Sequence, residues 1–343
     1  MLTQTAAGRA FDYSHSVGGR DMMKPYGLAL GSGNLAFVTD RRNSALAQIR
    51  AGGVHSPQVK KIDLGDRAGD EQLLHEFALI GEGPDELTWP AGMACDKDDN
   101  LYVADEWLNR ISVFDKDGRH LRNWGEAGVG EGQLNRPSGV AFDADEALLV
   151  VDSLNHRVQR FSKDGRLLGA WGSRGAGAGM FEAPWGIAID RDGFVYVVDH
   201  GNNRVQKFSA DGDYIFEFGS FGTGRGEFNR PSDVAVDPDG DIYVCDWANN
   251  RVQAFDPEGE HFMTFVGDAV SLSKWQQQFV DTNMAENRAR RRVKSLEPEW
   301  RFALPMTVRF HDRKGWLMVV DTQRGRFQVY EKLKDYVEPQ FNL

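Results

Sequence analysis

Short apolar runs alternate with turns rich in Gly, Asp and Asn along most of the chain, and this arrangement recurs six times. The clearest copies read PSGVAFDADEALLVVDSLNHRVQRF, PWGIAIDRDGFVYVVDHGNNRVQKF and PSDVAVDPDGDIYVCDWANNRVQAF. Each copy opens at a proline, and the six are Pro25, Pro90, Pro137, Pro184, Pro231 and Pro305. The spacing from Pro90 to Pro231 is 47 residues three times in succession. A fixed period of this length predicts one repeated supersecondary unit.

Each copy contains four short runs rich in Val, Ile, Phe and Tyr, bounded by turn residues, which is typical of strands. In the third copy these runs are 139–143, 148–151, 157–161 and 166–171. Four-stranded units repeated around an axis form a propeller, so the chain is predicted to be an all-β, six-bladed β-propeller. A closed ring is one cooperative unit, and we therefore expect a single domain over residues 1–343.

The first of the departures from the period lies at the N-terminus. Residues near 10–16 read as an orphan fourth strand, and we expect them to complete the last blade and so remove a sheet edge.

An insertion in blade 1 also breaks the period. The spacing from Pro25 to Pro90 is 65 residues, an excess of 18. We place this extra segment at about 50–71, between the third and fourth strands of blade 1.

A second insertion separates blades 5 and 6, where the spacing is 74 residues, an excess of 27. Residues of about 271–297 show helical periodicity, with Ser271 or Ser273 as the N-cap and Pro298 as the end. Loops from strand four to the next blade share a face with loops from strand two to three, and the channel usually opens to ligands there. The insertion is thus interpreted as a lid, a docking element or a decoration of that face.

The run Asn155-His156-Arg157-Val158, its variants at 202–204 and 249–251, and the linker at 221–228 resemble the NHL repeat. That family folds as a six-bladed β-propeller, and the resemblance covers nearly the whole chain. It is specific for the fold and leaves the activity open.

Composition narrows the class of protein. Hydrophobic residues make up 41% of the chain, which is typical of a globular protein, and no stretch approaches the ~20 apolar residues of a membrane span. The N-terminus shows no apolar core of a secretory signal. Without an apolar span we expect no membrane partner. Cys95 and Cys245 fall on strands of distant blades, so we expect no disulfide and a cytoplasmic location.

The charge balance bears on partners. The formal net charge of −11 argues against a nucleic-acid surface over the whole molecule. The helical insertion nevertheless carries a basic cluster, which consists of Arg288, Arg290, Arg291, Arg292 and Lys294. This cluster is interpreted either as a solvated helix face or as a site for an anionic ligand or an acidic partner.

One aspartate and one arginine recur in nearly every copy. The aspartates are Asp40, Asp105, Asp152, Asp199, Asp246 and Asp321, and the arginines are Arg110, Arg157, Arg204, Arg251 and Arg326. A catalytic site needs different groups in one place, whereas these groups recur around the ring. We therefore expect them to cap turns and form ion pairs, and we expect a structural role for His156 as well.

The positions at which the copies differ are more informative. Two sets should line the channel mouth: the residue after each repeat proline, and the residues after the aspartate that closes strand two. They supply most of the proposed ligand-binding residues, which are Tyr26, Arg42, Glu106, Trp107, Trp185, His200, Asp233 and Trp247. Such a mixture is typical of a small-molecule pocket and also of a protein-contact surface, and both stay open.

Enzymatic alternatives can be compared with known propeller sites. The chain distantly resembles the peptidyl-α-hydroxyglycine α-amidating lyases, whose zinc histidines follow the repeat proline. No repeat proline here is followed by His, and only His200 is well placed at the mouth, so that zinc site is not expected. A gluconolactonase-like site would need carboxylates around a channel cation, for which Asp233 and Glu106 are candidates.

The sequence therefore favours a non-catalytic propeller that binds a small molecule or a protein at the channel mouth. The alternative is a small-molecule lyase or hydrolase with a divergent channel site, in which a divalent cation is one option. Catalytic residues cannot be named from the sequence.

Overall fold

The computed structural model describes residues 3–19, 22–41, 57–334 and 336–337. Its strands form six antiparallel sheets, and the first strands of neighbouring sheets contact one another in a closed ring. The predicted six-bladed, all-β propeller is thereby confirmed. In each blade the first strand lies next to the channel and the fourth lies at the rim.

The strands follow the repeat closely. The chain opens with β1 (Thr3–Ala6) and β2 (Arg9–Gly18). Blade 1 contains β3 (Pro25–Leu30), β4 (Leu35–Asp40), β5 (Pro57–Asp63) and β6 (Gln72–Leu79). Blade 2 contains β7 (Pro90–Cys95), β8 (Leu101–Asp105), β9 (Arg110–Phe114) and β10 (His120–Trp124). Blade 3 contains β11 (Pro137–Phe142), β12 (Leu148–Asp152), β13 (Arg157–Phe161) and β14 (Leu167–Trp171).

The second half of the ring adds the helices. Blade 4 contains β15 (Ile187–Ile189), β16 (Val195–Asp199), β17 (Arg204–Phe208) and β18 (Tyr214–Phe218). Blade 5 contains β19 (Asp233–Val236), β20 (Ile242–Asp246), β21 (Arg251–Phe255) and β22 (His261–Phe265). The insertion forms α1 (Lys274–Thr282), α2 (Met284–Arg290) and α3 (Glu297–Trp300). Blade 6 contains β23 (Pro305–His311), β24 (Trp316–Asp321) and β25 (Arg326–Lys332), together with β2 and β1.

The hydrophobic core is divided among the seams between blades. Six buried clusters each join two neighbouring blades; Val150 and Phe161 of blade 3, for example, share a cluster with Tyr102 and Val113 of blade 2. Both faces of every blade are thus covered, which explains why second strands such as β12 are buried at every residue. Stability of the ring depends on all six seams.

The predicted closure by the N-terminal strand is confirmed. β2 pairs antiparallel with β25, from Phe11 opposite Lys332 to Gly18 opposite Arg326. The structure adds β1, a fifth strand that the sequence pattern did not reveal, on the outer edge of the same sheet. Residues of both chain ends therefore lie in one blade.

The recurring aspartates and arginines have structural roles, as predicted. Asp199 is fully buried and accepts hydrogen bonds from the Glu182 backbone N–H at 2.8 Å and from Arg204 Nε at 2.9 Å. The guanidinium of Arg204 also donates to linker carbonyls, including those of Gly177 and Met180. Equivalent ion pairs occur in blades 3, 5 and 6. In blade 2, Arg110 instead donates to the carbonyls of Glu82, Gly83 and Glu86.

His156 is likewise structural. It adopts a left-handed conformation with φ of 56° after a short 3-10 turn, and its Nδ1 accepts a hydrogen bond from the Ala183 N–H at 3.0 Å. The imidazole thereby links blade 3 to the linker before blade 4.

Two details of the insertions differ from the predictions. The third strand of blade 1 is β5, so the extra residues precede it instead of following it, and residues 42–56 lie outside the described residues. Val59 and Ile62 are both fully buried and pack into the clusters on opposite sides of blade 1, which identifies β5 as an inner strand. Pro298 lies in the first turn of α3 and does not end the helical segment, because proline fits the first turn of a helix.

Two expectations about the chain as a whole can be compared with the structure. Cys95 and Cys245 are both free thiols, as expected. Among the described residues, no helix has both the length and the apolar content that a membrane crossing requires.

Candidate functional site

Side chains from five blades meet at the channel mouth. Tyr26, Ala91 and Met306 are buried there, and half-buried Trp185 and Trp247 pack against them. We call these five residues the mouth cluster. Four of them directly follow the repeat prolines, which confirms that this position converges on the axis. The mouth cluster fills the end of the channel with apolar side chains.

Close packing of the inner strands explains why the space beneath the cluster is small. A Cβ on Gly139 would lie 2.5 Å from the Trp185 carbonyl oxygen, and one on Gly27 would lie 2.5 Å from the Ala91 carbonyl oxygen. Glycine is therefore required at this position in blades 1 to 4, where the first strands approach most closely. The remaining cavity has a volume of about 20 Å³.

Asp233 occupies this glycine position in blade 5 and consequently lies inside the ring, below the mouth cluster. Its Oδ2 accepts a hydrogen bond from the Val308 N–H at 3.2 Å and forms an ion pair with Arg309. Burial raises the pKa of Asp233, while Arg309 opposes that shift. The carboxylate joins blades 5 and 6.

Arg41 contacts Tyr26 and blade 2 and so fixes the blade 1 side of the mouth. The Arg41 guanidinium lies over the Tyr26 ring and forms an ion pair of 2.7 Å with Glu106, and its Nε donates to the Pro90 carbonyl at 2.6 Å. The Glu106 carboxylate is thus paired with Arg41 and buried. Arg42, the sequence candidate at this position, lies outside the described residues, and its neighbour Arg41 is the residue that the structure places here.

His200 supports the blade 4 side. Its ring lies 4.6 Å from that of Trp185, centroid to centroid, and its Nδ1–H donates to the Pro231 carbonyl at 2.9 Å. Burial lowers the pKa of His200 to about 4. The imidazole is therefore neutral at physiological pH and a weak base, which makes it a poor match for general-base catalysis near pH 7.

A second aromatic group lies beside the mouth cluster. Trp107 and Trp89 contact edge to face with ring centroids 5.5 Å apart, and the Arg136 guanidinium lies 5.9 Å from the Trp89 ring. Both tryptophans are exposed, by 52% and 43% respectively. The sequence candidates omitted Trp89, although its position before a repeat proline was a usable signal.

The same position in other blades carries exposed cations. Lys24, Arg136 and Arg230 all precede a repeat proline and all are exposed. The mouth face therefore combines exposed tryptophan with positive charge, in a chain of net charge −11.

The predicted site residues fall into three groups. Tyr26, Trp185 and Trp247 belong to the mouth cluster, with Glu106 and His200 at its border. Trp107 lies in the exposed tryptophan pair, and Asp233 lies deeper in the channel.

The side chains present do not fit a gluconolactonase-like metal site. Glu106 and Asp233 are held by different arginines, Arg41 and Arg309. Within residues 3–19, 22–41, 57–334 and 336–337, no group of three or more His, Cys, Asp or Glu side chains is arranged to hold a metal ion.

The helical insertion leaves the ring on the mouth face and docks at the seam between blades 6 and 1. Ser273 forms a capping box with Gln276 and donates to the Gly18 carbonyl. Lys274 Nζ donates to the carbonyls of Gly69 and Glu71 of blade 1, at 3.0 Å each. These contacts fix the start of α1 at the rim, which disfavours the lid interpretation.

Comparisons with known proteins agree with this architecture. The NHL repeat model matches residues 134–161, 181–208 and 228–255. No curated protein sequence matches the chain.

Several solved propellers share the fold at low sequence identity. A catalytically inactive virginiamycin B lyase from Staphylococcus aureus, crystallised with quinupristin, is 14% identical with a TM-score of 0.57, covering 94% of this chain and 99% of that chain. A streptogramin B lyase is 12% identical with a TM-score of 0.58, covering 94% and 98%. A gluconolactonase from Xanthomonas campestris is 16% identical with a TM-score of 0.58, covering 95% and 90%. The chain therefore contains NHL repeats in a six-bladed β-propeller similar in fold to lyases and lactonases.

Proposed function

We propose that this propeller is a non-catalytic binding module and that a protein partner docks on the channel-mouth face. The proposal rests on the observation that the side chains of the mouth cluster fill the end of the channel. The cavity beneath the mouth cluster, about 20 Å³, has room for about one water molecule, which needs ~10–15 Å³. A small-molecule pocket at this position would need ~300 Å³ or more.

The chemistry of the surface supports a protein partner. Trp89 and Trp107 expose aromatic area, and Arg136 lies against it. Tryptophan and arginine dominate the binding energy of many protein interfaces. The exposed cations Lys24 and Arg230 favour a partner with acidic residues at the periphery of the contact.

The alternative is a small-molecule lyase or hydrolase. It is supported by the activities named for the propellers of similar fold. Metal analysis of the purified protein separates the two: a stoichiometric, tightly bound divalent ion favours the enzyme, and a metal-free protein that retains its partner favours the binding module.

Quantitative co-purification tests the binding module. The double variant Trp107→Ala, Trp247→Ala should recover at least about tenfold less partner than the wild type, because interface tryptophans often contribute ~2 kcal/mol or more. Leu168→Ala is the matched control, since Leu168 is an exposed apolar residue on the rim strand β14. Equal recovery with all three proteins contradicts the proposal.

A further inference from the structure

The channel opens at the end opposite the mouth cluster into a cavity of about 360 Å³. All six first strands contribute to its wall, and most of the side chains are apolar; one from each blade is Leu30, Cys95, Phe142, Ile189, Val236 and Phe310. These six are half-buried, which shows that they face accessible space. The volume lies within the ~300–1,000 Å³ range of small-molecule sites.

Arg309 alone carries a charge among the described residues that line this cavity. It also lines the narrow space under the mouth cluster, so its guanidinium lies at the inner end of the cavity. Nη1 donates to Asp233 and to the Val308 carbonyl. In the described part of the chain no hydrogen bond from Nε or Nη2 is found, and the side chain is 19% exposed. Arg309 therefore has donors available on the cavity side.

We propose that this cavity binds a small apolar monocarboxylate, with the hydrocarbon against the inner strands and the carboxylate on Nε and Nη2 of Arg309. The planar fork of arginine matches a carboxylate with two parallel hydrogen bonds. The apolar wall removes the hydrocarbon from water. This site lies at the other end of the channel from the proposed protein-binding face and does not depend on it.

The neighbouring carboxylate is compatible with such a ligand. Asp233 uses a different nitrogen of Arg309, so the guanidinium can bridge two carboxyl groups. The charge of Asp233 is offset by the hydrogen bonds that it accepts from the Val308 N–H and from Arg309.

Titration calorimetry with octanoate as the probe tests the proposal, with octan-1-ol and octanamide as neutral comparators. Octanoate should bind the wild type at least about tenfold more tightly than either neutral compound, since hydrogen bonds to charged groups are the stronger ones. No binding of octanoate, or equal binding of octanamide, overturns the carboxylate assignment.

Three variants locate the site. Ala188→Phe, which fills the cavity, and the double variant Arg309→Met, Asp233→Asn, which removes both charges, should each weaken octanoate binding at least about tenfold. Leu168→Ala on the rim should leave it unchanged. Melting curves verify folding of each variant, and unchanged affinity in both folded cavity variants refutes the site.

Chemical labelling of Cys95 gives a second measure of where octanoate binds, and it requires no substitution. Cys95 lines the cavity, whereas Cys245 is fully buried, so iodoacetamide labelling of the native protein reports on Cys95. Burial, with nearby Asp99 and Asp96, raises the pKa of the Cys95 thiol, so the labelling is slow and is followed at alkaline pH. Saturating octanoate should slow this labelling several-fold. An unchanged labelling rate places the octanoate elsewhere.

Discussion

The guanidinium carbon of Arg41 lies 3.4 Å from the centroid of the Tyr26 ring. The same guanidinium is paired with Glu106 of blade 2, so a cation–π contact and an ion pair together hold Tyr26 over the axis. The mouth cluster is therefore anchored across two blades, and the mouth face acts as a surface and not as an opening.

Ring closure by β2 is open to a deletion test. Removing residues 1–18 should abolish cooperative unfolding, because it exposes the apolar clusters on both sides of blade 6, which include Phe11 and Val17, and leaves the edge of β25 unpaired. Removing residues 1–6, which takes only the largely exposed β1, is the control and should preserve the transition. Differential scanning calorimetry measures both, and a normal transition after the longer deletion contradicts closure.

The buried ion pair of blade 4 should affect stability and not partner binding. Asp199→Asn is expected to cost about 2 kcal/mol, because buried Arg204 loses the charge that accepts from its Nε and keeps only its pair with Glu217. Urea unfolding measures the loss. Glu182→Gln, which disrupts an exposed pair with Arg174, should change stability little. Loss of partner affinity in Asp199→Asn at wild-type stability would assign Asp199 to the binding site instead.

His15 predicts a pH dependence. Burial lowers the pKa of this histidine to about 4, and nearby Lys314 adds to the shift. The unfolded chain, with a histidine pKa near 6.5, binds a proton that the folded protein excludes between pH ~4 and ~6.5. This contribution to stability is therefore complete above pH 6.5 and is lost as pH falls, at up to ~1.4 kcal/mol per pH unit.

The variant His15→Gln isolates this contribution, since carboxylate titrations are common to both proteins and cancel in the difference. Its stability relative to the wild type should rise as pH is lowered from 6.5 to 5. A difference that does not vary with pH would show that His15 keeps an ordinary pKa in the folded protein.

Most of the architecture could be predicted from the sequence, because the strands, the turns and the buried aspartate recur at the same positions in each repeat. Periodicity could not reveal β1 or place β5, since an edge strand makes few core contacts and the third strand of blade 1 follows an irregular segment. Tyr26 and Trp185 were correctly placed on the axis by their position after the proline. The small size of the space beneath the mouth cluster could not be predicted, because it depends on the packing distances at Gly27 and Gly139, which no single-sequence pattern encodes.

Site-specific photo-cross-linking tests the central claim most directly. The photoreactive amino acid p-benzoylphenylalanine replaces Trp107 on the mouth face in one protein and Leu168 on the rim in another, both being exposed positions. We predict that illumination in cell extract yields one dominant protein adduct at position 107 and none of it at position 168. Adducts that are the same at both positions, or that form only at position 168, would contradict a partner-binding role for the mouth face.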